Sequence, residues 1–244
     1  MQQEKITEIF DQQASTYDQK WSRLAPINSA LHLLSSAILS HLPSTARILC
    51  IGAGTGNEII HLAQKFPGWH FTAVEPSTAM LEVFRRRAEE HGILSRCVLH
   101  ADYLDSLPPD ASFDAATSFL VSQFILDRTA RSHFFQNISA RLRPEGILIS
   151  SDLAGDMSAP ADSMDLLEVW FQVMRDSGTL TLPEEIEKMR EAYTRDVAVL
   201  PPQTIREIIT LGGFASPTLF FQAGMIHAWY ARRVTPAPAS ANSP

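Results

Sequence analysis

Cysteine is scarce in this 244-residue chain, which has only Cys50 and Cys97. Two thiols set in apolar runs cannot build a disulfide framework or a structural zinc site, so no metal is expected. Basic residues are also in the minority. Lys and Arg number 20 against 27 Asp and Glu, a formal net charge of −7 at pH 7. An acidic balance of that size gives no broad electrostatic attraction for nucleic acid. No apolar run approaches the roughly 18 residues of a membrane helix, and Met1-Gln2-Gln3-Glu4-Lys5 has no basic segment feeding an apolar one. The expectation is a soluble cytoplasmic protein, monomer or homodimer, with neither membrane nor nucleic acid as a partner. Apolar material is plentiful by contrast. Hydrophobic residues make up 45% of the chain and charged residues 19%, which suits one sizeable core and excludes wholesale disorder.

The pattern along the chain predicts a single domain over residues 1–234 and a disordered tail over 235–244, with no internal repeat. Ile6, Ile9, Phe10 and Ala14 sit at helical spacing. A second helix over Pro26–His41 carries Ile27, Ala30, Leu31, Leu34 and Ile38 on one stripe, with Pro26 in its first turn. Together these make an N-terminal helical region over residues 1–43. Beyond Pro43 the period changes. Buried strands are predicted at Arg47–Ile51, His70–Val74, Cys97–Leu99, Ala115–Leu120 and Ile147–Ser151. Helices fall between them at Gly56–Phe66, after Ser77, and at Arg131–Leu142. Strands alternating with helices at this spacing imply right-handed crossovers and an α/β fold with a doubly wound, mostly parallel sheet. Residues 159–195 are helical by pattern and break the alternation, as an insertion over the sheet edge. A helix at Pro201–Leu211 then leads to two strands, Thr218–Gln222 and Ile226–Arg233, at hairpin spacing.

Gly52-Ala53-Gly54-Thr55-Gly56 lies between the first strand and the first helix of that alternation. Glycines there permit a tight turn and let a ligand approach the backbone. Glu75 ends the second strand, roughly 20 residues further on, where a carboxylate can accept hydrogen bonds from both hydroxyls of a ribose. Asp102 ends the third strand and could take the amino group of an adenine. All three points map to the carboxyl ends of adjacent strands, where open α/β sheets bind ligands. A nicotinamide dinucleotide would want G-x-G-x-x-G, and Asn57 stands where that pattern needs its third glycine. A P-loop is excluded, because no Gly-Lys-Ser/Thr follows the glycines.

With Ile48–Gly56, Glu75, Ala101-Asp102, Phe113-Asp114, Leu142–Leu148 and Gly212-Gly213-Phe214 in place, the chain resembles the class I S-adenosylmethionine (SAM)-dependent methyltransferases. The resemblance covers about residues 5–233. It implies a Rossmann-like seven-stranded sheet with the last strand antiparallel, and SAM as cofactor under the carboxyl ends of the strands. The cofactor-binding residues it marks are Gly52, Ala53, Gly54, Gly56, Glu75, Pro76, Met80, Asp102, Tyr103 and Phe119. The family usually has an acid where Cys50 stands, which leaves polar support of the loop to Glu58 or ordered water. A narrower resemblance, to the carboxy-SAM synthases, rests on Phe10-Asp11, Leu120–Ile125, Glu185-Ile186, Arg190 and Phe221-Gln222. Arg190 matches an arginine with which that family holds the added carboxylate, whereas Asn28 and Phe119 replace its tyrosine and asparagine.

Candidate catalytic residues are Tyr17, Asp152 and Arg190. Tyr17 and Trp21 belong either to a surface helix or to an N-terminal lid whose rings meet the sulfonium by cation–π attraction. Asp152, at the end of the fifth strand, is the best-placed base if one is needed. Arg190 is either a solvated helix residue or a carboxylate clamp. Trp170, Met174 and Tyr193 read as core that could border a substrate pocket, and His133 and His227 as structural. Three activities stay open: a small-molecule methyltransferase with a lid from residues 8–30 and 159–195, SAM chemistry without methyl transfer (carboxylation or cyclisation), and a non-catalytic SAM-binding module.

Overall fold

A computed structural model describes residues 3–108, 112–156, 162–174 and 183–234. The apolar runs form one seven-stranded sheet: β1 Arg47–Ile51, β2 His70–Val74, β3 Cys97–His100, β4 Phe113–Phe119, β5 Leu142–Leu153, β6 Phe214–Ala223 and β7 Ile226–Arg233. Their order is β3-β2-β1-β4-β5-β7-β6. Neighbours from β3 to β5 pair in parallel, and β7 runs antiparallel to both β5 and β6. The helices are α1 Gln3–Gln13, α2 Tyr17–Lys20, α3 Ala25–Leu39, α4 Asn57–Lys65, α5 Thr78–Glu90, α6 Arg128–Arg141, α7 Asp162–Met174, α8 Pro183–Asp196 and α9 Pro202–Leu211. The α/β class, the doubly wound sheet and the antiparallel last strand all match the expectation.

Strand alternation splits the core into two layers. Ile48, Cys50, Ala115, Ile147 and Ile149 face one side and pack with Ile59, Leu62 and Phe84 of α4 and α5. Leu49, Ile51, Ala116 and Leu148 face the other and meet Phe135 and Ile138 of α6 and Ile205, Ile208 and Ile209 of α9. A third cluster caps the carboxyl end of β5 and the amino end of the antiparallel β7. There Leu24 packs with Leu153, Leu167, Trp170, Phe171, Met225 and Ile226.

The three largest boundary differences from the sequence reading, at the starts of α6, β5 and β6, each have a local reason. Helix α6 starts at Arg128 because Asp127 caps it, its Oδ1 accepting from Ala130 N at 2.8 Å. Strand β5 starts early because Pro144-Glu145-Gly146 bulges without leaving the sheet: Leu142 pairs with Phe113 and Ile147 with Ala115. Strand β6 starts at Phe214 and carries a second bulge around Ser216 and Pro217. Proline lacks the N–H of a ladder, and an edge strand is where that loss is tolerated. The tail over 235–244, the start of the insertion at Ala159 and its stretch 175–182 lie outside the described residues.

Candidate active site

The three loop glycines all have left-handed backbones, with φ of 67° at Gly52, 53° at Gly54 and 80° at Gly56. Side chains disfavour that conformation, so the turn from β1 into α4 depends on glycine. Their surroundings differ. A Cβ on Gly52 would run into Val121 Cγ2, and one on Gly56 into the Phe84 ring. A Cβ on Gly54 would meet nothing nearer than the Gly52 carbonyl oxygen at 4.0 Å. Gly52 and Gly56 therefore let other chain segments close in, while Gly54 presents open backbone. Ala53 is buried, and its N–H donates to the Val74 carbonyl at 3.2 Å.

Glu75 joins this loop to the end of β2. Its Oε2 accepts from Gly54 N at 3.0 Å and its Oε1 from Ser77 N at 2.9 Å. Burial pushes the carboxyl above the usual range, and the two N–H donors pull it back. A carboxylate has about four acceptor positions, so two remain for a ligand. Beyond it, Pro76 is half-buried and Met80 is packed inside the first turn of α5. Asp102 is exposed after β3 and accepts from Tyr103 N at 2.7 Å, which holds its carboxyl below the usual range. Phe119 ends β4 with its ring stacked on His32 of α3, centroids 5.9 Å apart.

The N-terminal segment is fastened across these strand ends by its own polar groups. Asp11 Oδ1 accepts from Ser77 Oγ at 2.6 Å and from Ala79 N at 3.2 Å, at the start of α5. Asp18 Oδ1 accepts from Thr55 Oγ1 at 2.8 Å and Asn57 Nδ2 at 3.0 Å, and Asp18 Oδ2 pairs with Arg87 at 3.1 Å. Thr7 Oγ1 meets the Tyr103 hydroxyl at 2.9 Å. Phe10, Tyr17 and Trp21 form a row of rings with centroids 6.2 and 6.1 Å apart. Tyr17 is pushed up to about 12, by burial first and then by the negative charges of Glu75 and Asp18. Tyr17 thus lies within electrostatic reach of the Glu75 carboxylate. The sequence reading did not single out Asp11 as a bridge to α5 or Asp18 and Arg87 at all. Their partners lie far along the chain, and no periodicity signals such pairs.

Asp152 is fully buried and engaged. Arg131, equally buried, pairs with its Oδ1 at 3.0 Å, and Ser122 Oγ donates to it at 2.9 Å. With no exposed surface, it offers no oxygen to a substrate. Arg131 also donates to the Ala198 carbonyl at 3.1 Å, tying the segment after α8 to the sheet. Arg190 is half-buried on α8, and Tyr193, one turn on, accepts from Trp170 Nε1 at 2.9 Å. Met174 packs against the same cluster as Trp170. His227 is buried, its Nδ1 bonding the Met225 carbonyl at 3.1 Å, and His133 is exposed on α6.

Glu58, in the first turn of α4, is turned into the protein and accepts from Thr117 Oγ1 of β4 at 2.6 Å. The Cys50 thiol lies beside it. Burial pushes the Glu58 carboxyl up to about 7. The folded state therefore keeps a proton that the unfolded chain releases near pH 4.5, and this group's contribution to stability falls as pH rises from there to about 7. Glu58→Gln is expected to remove that slope, which urea unfolding of both proteins at pH 5 and pH 8 would read. Among the described residues no cluster of His, Cys, Asp and Glu is arranged to hold a metal, and no helix is long and apolar enough to cross a membrane.

Residues 48–146 match the family model described as a methyltransferase domain. In fold, glycine loop and this partial match the chain resembles a class I methyltransferase domain. The full-length relatives narrow the resemblance. The carboxy-S-adenosyl-L-methionine synthase of Dichelobacter nodosus is 29% identical over 205 residues, 83% of this chain and 82% of that protein. The demethylmenaquinone methyltransferase of Thermus thermophilus is 33% identical over 110 residues, 45% of this chain and 49% of its own. Among solved structures, the 4+2 cyclase SpnF superposes with a TM-score of 0.60 at 14% identity, over 84% of this chain and 82% of that one. At that identity the likeness is one of fold.

Proposed function

We propose that this chain transfers the methyl group of SAM to a small-molecule acceptor. The observation that carries the reading is the Glu75 carboxylate, bonded to Gly54 N and Ser77 N with acceptor positions left over for a ribose. In this reading Gly52, Ala53, Gly54 and Gly56 bed the methionine portion, and Glu75 and Pro76 hold the ribose. Met80, Asp102 and Tyr103 border the adenine, and Phe119 lies against the methionine portion or the adenine. SAM, when bound, supplies an already activated methyl group on a sulfonium. The protein's own work is to orient and to exclude water, worth on the order of 7–11 kcal/mol where the geometry is ideal. Tyr17 and Trp21, drawn over the strand ends by Asp11 and Asp18, close the cofactor side. Asp152 positions the end of β5 through Arg131, and a base is dispensable for soft or already ionised acceptors.

A second reading is favoured by Arg190 and by the full-length relatives: SAM chemistry in which the sulfonium is carboxylated. The replacements at Asn28 and Phe119 weigh against it. Mass spectrometry separates the two. Ligand released from the purified protein, and SAM incubated with and without a pool of small nucleophiles, would be examined together. S-adenosylhomocysteine formed only with the pool is the expected result. A carboxylated SAM in the purified protein would establish the second reading instead.

A further inference from the structure

Glu58 has no part in the reading above, and its placement asks for one. It is 7% exposed. It lies two residues after the last loop glycine, at the start of α4, while Cys50 lies two residues before the first, near the end of β1. The carboxyl is thus held at the foot of the loop, between the thiol on one side of the turn and Thr117 of β4, which donates to it at 2.6 Å. Among the described residues its direct neighbours are Thr117 and Cys50, neither of them a cation. A buried acid with no counter-charge is costly, and an apolar side chain would fill the same space at less cost.

We infer that Glu58 is a positioning residue of the cofactor site, whose carboxylate beneath the glycine loop favours a cationic sulfonium over its neutral, demethylated counterpart. The inference rests on the proposed binding of SAM at this loop. SAM and S-adenosylhomocysteine share adenosine, ammonium and carboxylate and differ by one methyl group and one positive charge. A negative charge fixed in a low-dielectric interior acts on that difference. It holds the substrate and lets the neutral product go.

Of the surrounding charged groups, the Arg87 guanidinium of α5 bonds the Thr55 carbonyl and Asn57 Oδ1 at 2.8 Å each, and Asp18 balances its charge there at 3.1 Å. The Cys50 thiol is held neutral by burial, and Cys97 behind it is pushed up to about 11. His32 of α3 is lowered to about 4 and His61 of α4 is lowered as well, so both rings are neutral above pH 7. Lys65, two turns along α4, is bonded to Ser36 Oγ at 2.8 Å. Glu58 itself, pushed up to about 7, gains its charge between pH 6 and pH 8.

The test is titration calorimetry of the full chain with SAM and with S-adenosylhomocysteine at pH 6 and pH 8. The wild type is expected to favour SAM more strongly at pH 8 than at pH 6. Glu58→Gln, which keeps the shape, should weaken SAM about fivefold and leave S-adenosylhomocysteine within twofold, with no pH dependence of the ratio. Glu58→Gln combined with Cys50→Asp returns a carboxyl to the same pocket and should restore the preference. Thr117→Val, which removes the hydroxyl donor, should move the rise to higher pH. Equal losses for both ligands, or a ratio unchanged by Glu58→Gln, would reduce Glu58 to a structural role. A wild type that binds neither ligand would overturn the cofactor reading itself.

Discussion

Glu75→Ala is expected to raise the dissociation constant for SAM at least tenfold, measured by titration calorimetry. The carboxylate does two jobs in the proposed site. It ties the loop to the strand end by accepting from Gly54 N and Ser77 N, and it keeps acceptor positions for the ribose hydroxyls. Hydrogen bonds to a charged group are worth about 1.5–3 kcal/mol each, and roughly 1.4 kcal/mol is a decade in affinity. Losing even one ligand bond therefore meets the tenfold mark. Two buried backbone donors are also left without their acceptor, so the loop loses definition. Tyr17 supplies an independent readout. The Glu75 charge is the second cause of its rise to about 12, so its ultraviolet titration should shift downward in the variant. An unchanged affinity for SAM would remove Glu75 from the site.

Arg131→Met should lower the melting temperature by roughly 6–20 °C, followed by circular dichroism. Arg131 and Asp152 are each wholly buried, and the arginine also donates to Ser122 Oγ at 2.8 Å and to the Ala198 carbonyl. Removing one member of such a pair strands the other charge, at about 3–5 kcal/mol. A domain is typically stable by only about 5–15 kcal/mol, so the loss is a large share of the total. Arg131→Met combined with Asp152→Leu removes both charges and should recover part of the deficit. The single variant is also expected to loosen the segment after α8, because Ala198 loses its donor. A melting curve unchanged by Arg131→Met would show that the pair contributes little.

How much of this was visible in the sequence depends on the range of the interaction. The strands around the glycine loop were legible because Arg47–Ile51 and His70–Val74 are apolar on both faces, as burial under two helical layers demands. The Ser77 cap was legible because it acts three residues away, on Met80 N. Gly52, Gly54 and Gly56 could be assigned a turn before their φ values were known. The bulges of β5 and β6 were not legible, because Pro144-Glu145-Gly146 and Ser216-Pro217 carry the same signals as an ordinary loop. Asp152 was read as a candidate base from its place at a strand end. Nothing near it in sequence revealed that Arg131 would be its partner. The contacts of Asp11 and Asp18 with α5 and α4 escaped for the same reason, since a lone surface-type acid gives no clue to a partner far along the chain. Glu58 was named as one possible support of the loop because Cys50 carries no charge, and its bond to Thr117 was supplied only by the folded geometry.

The fastening of α1 and α2 bears on tempo. Asp11 grips the head of α5 and Asp18 the head of α4, on either side of the strand end that carries Glu75. A ligand held at that strand end is expected to leave only as fast as these contacts break, rather than in step with how tightly it is gripped. Burst kinetics, with one fast turnover followed by a slow steady phase, would be the signature.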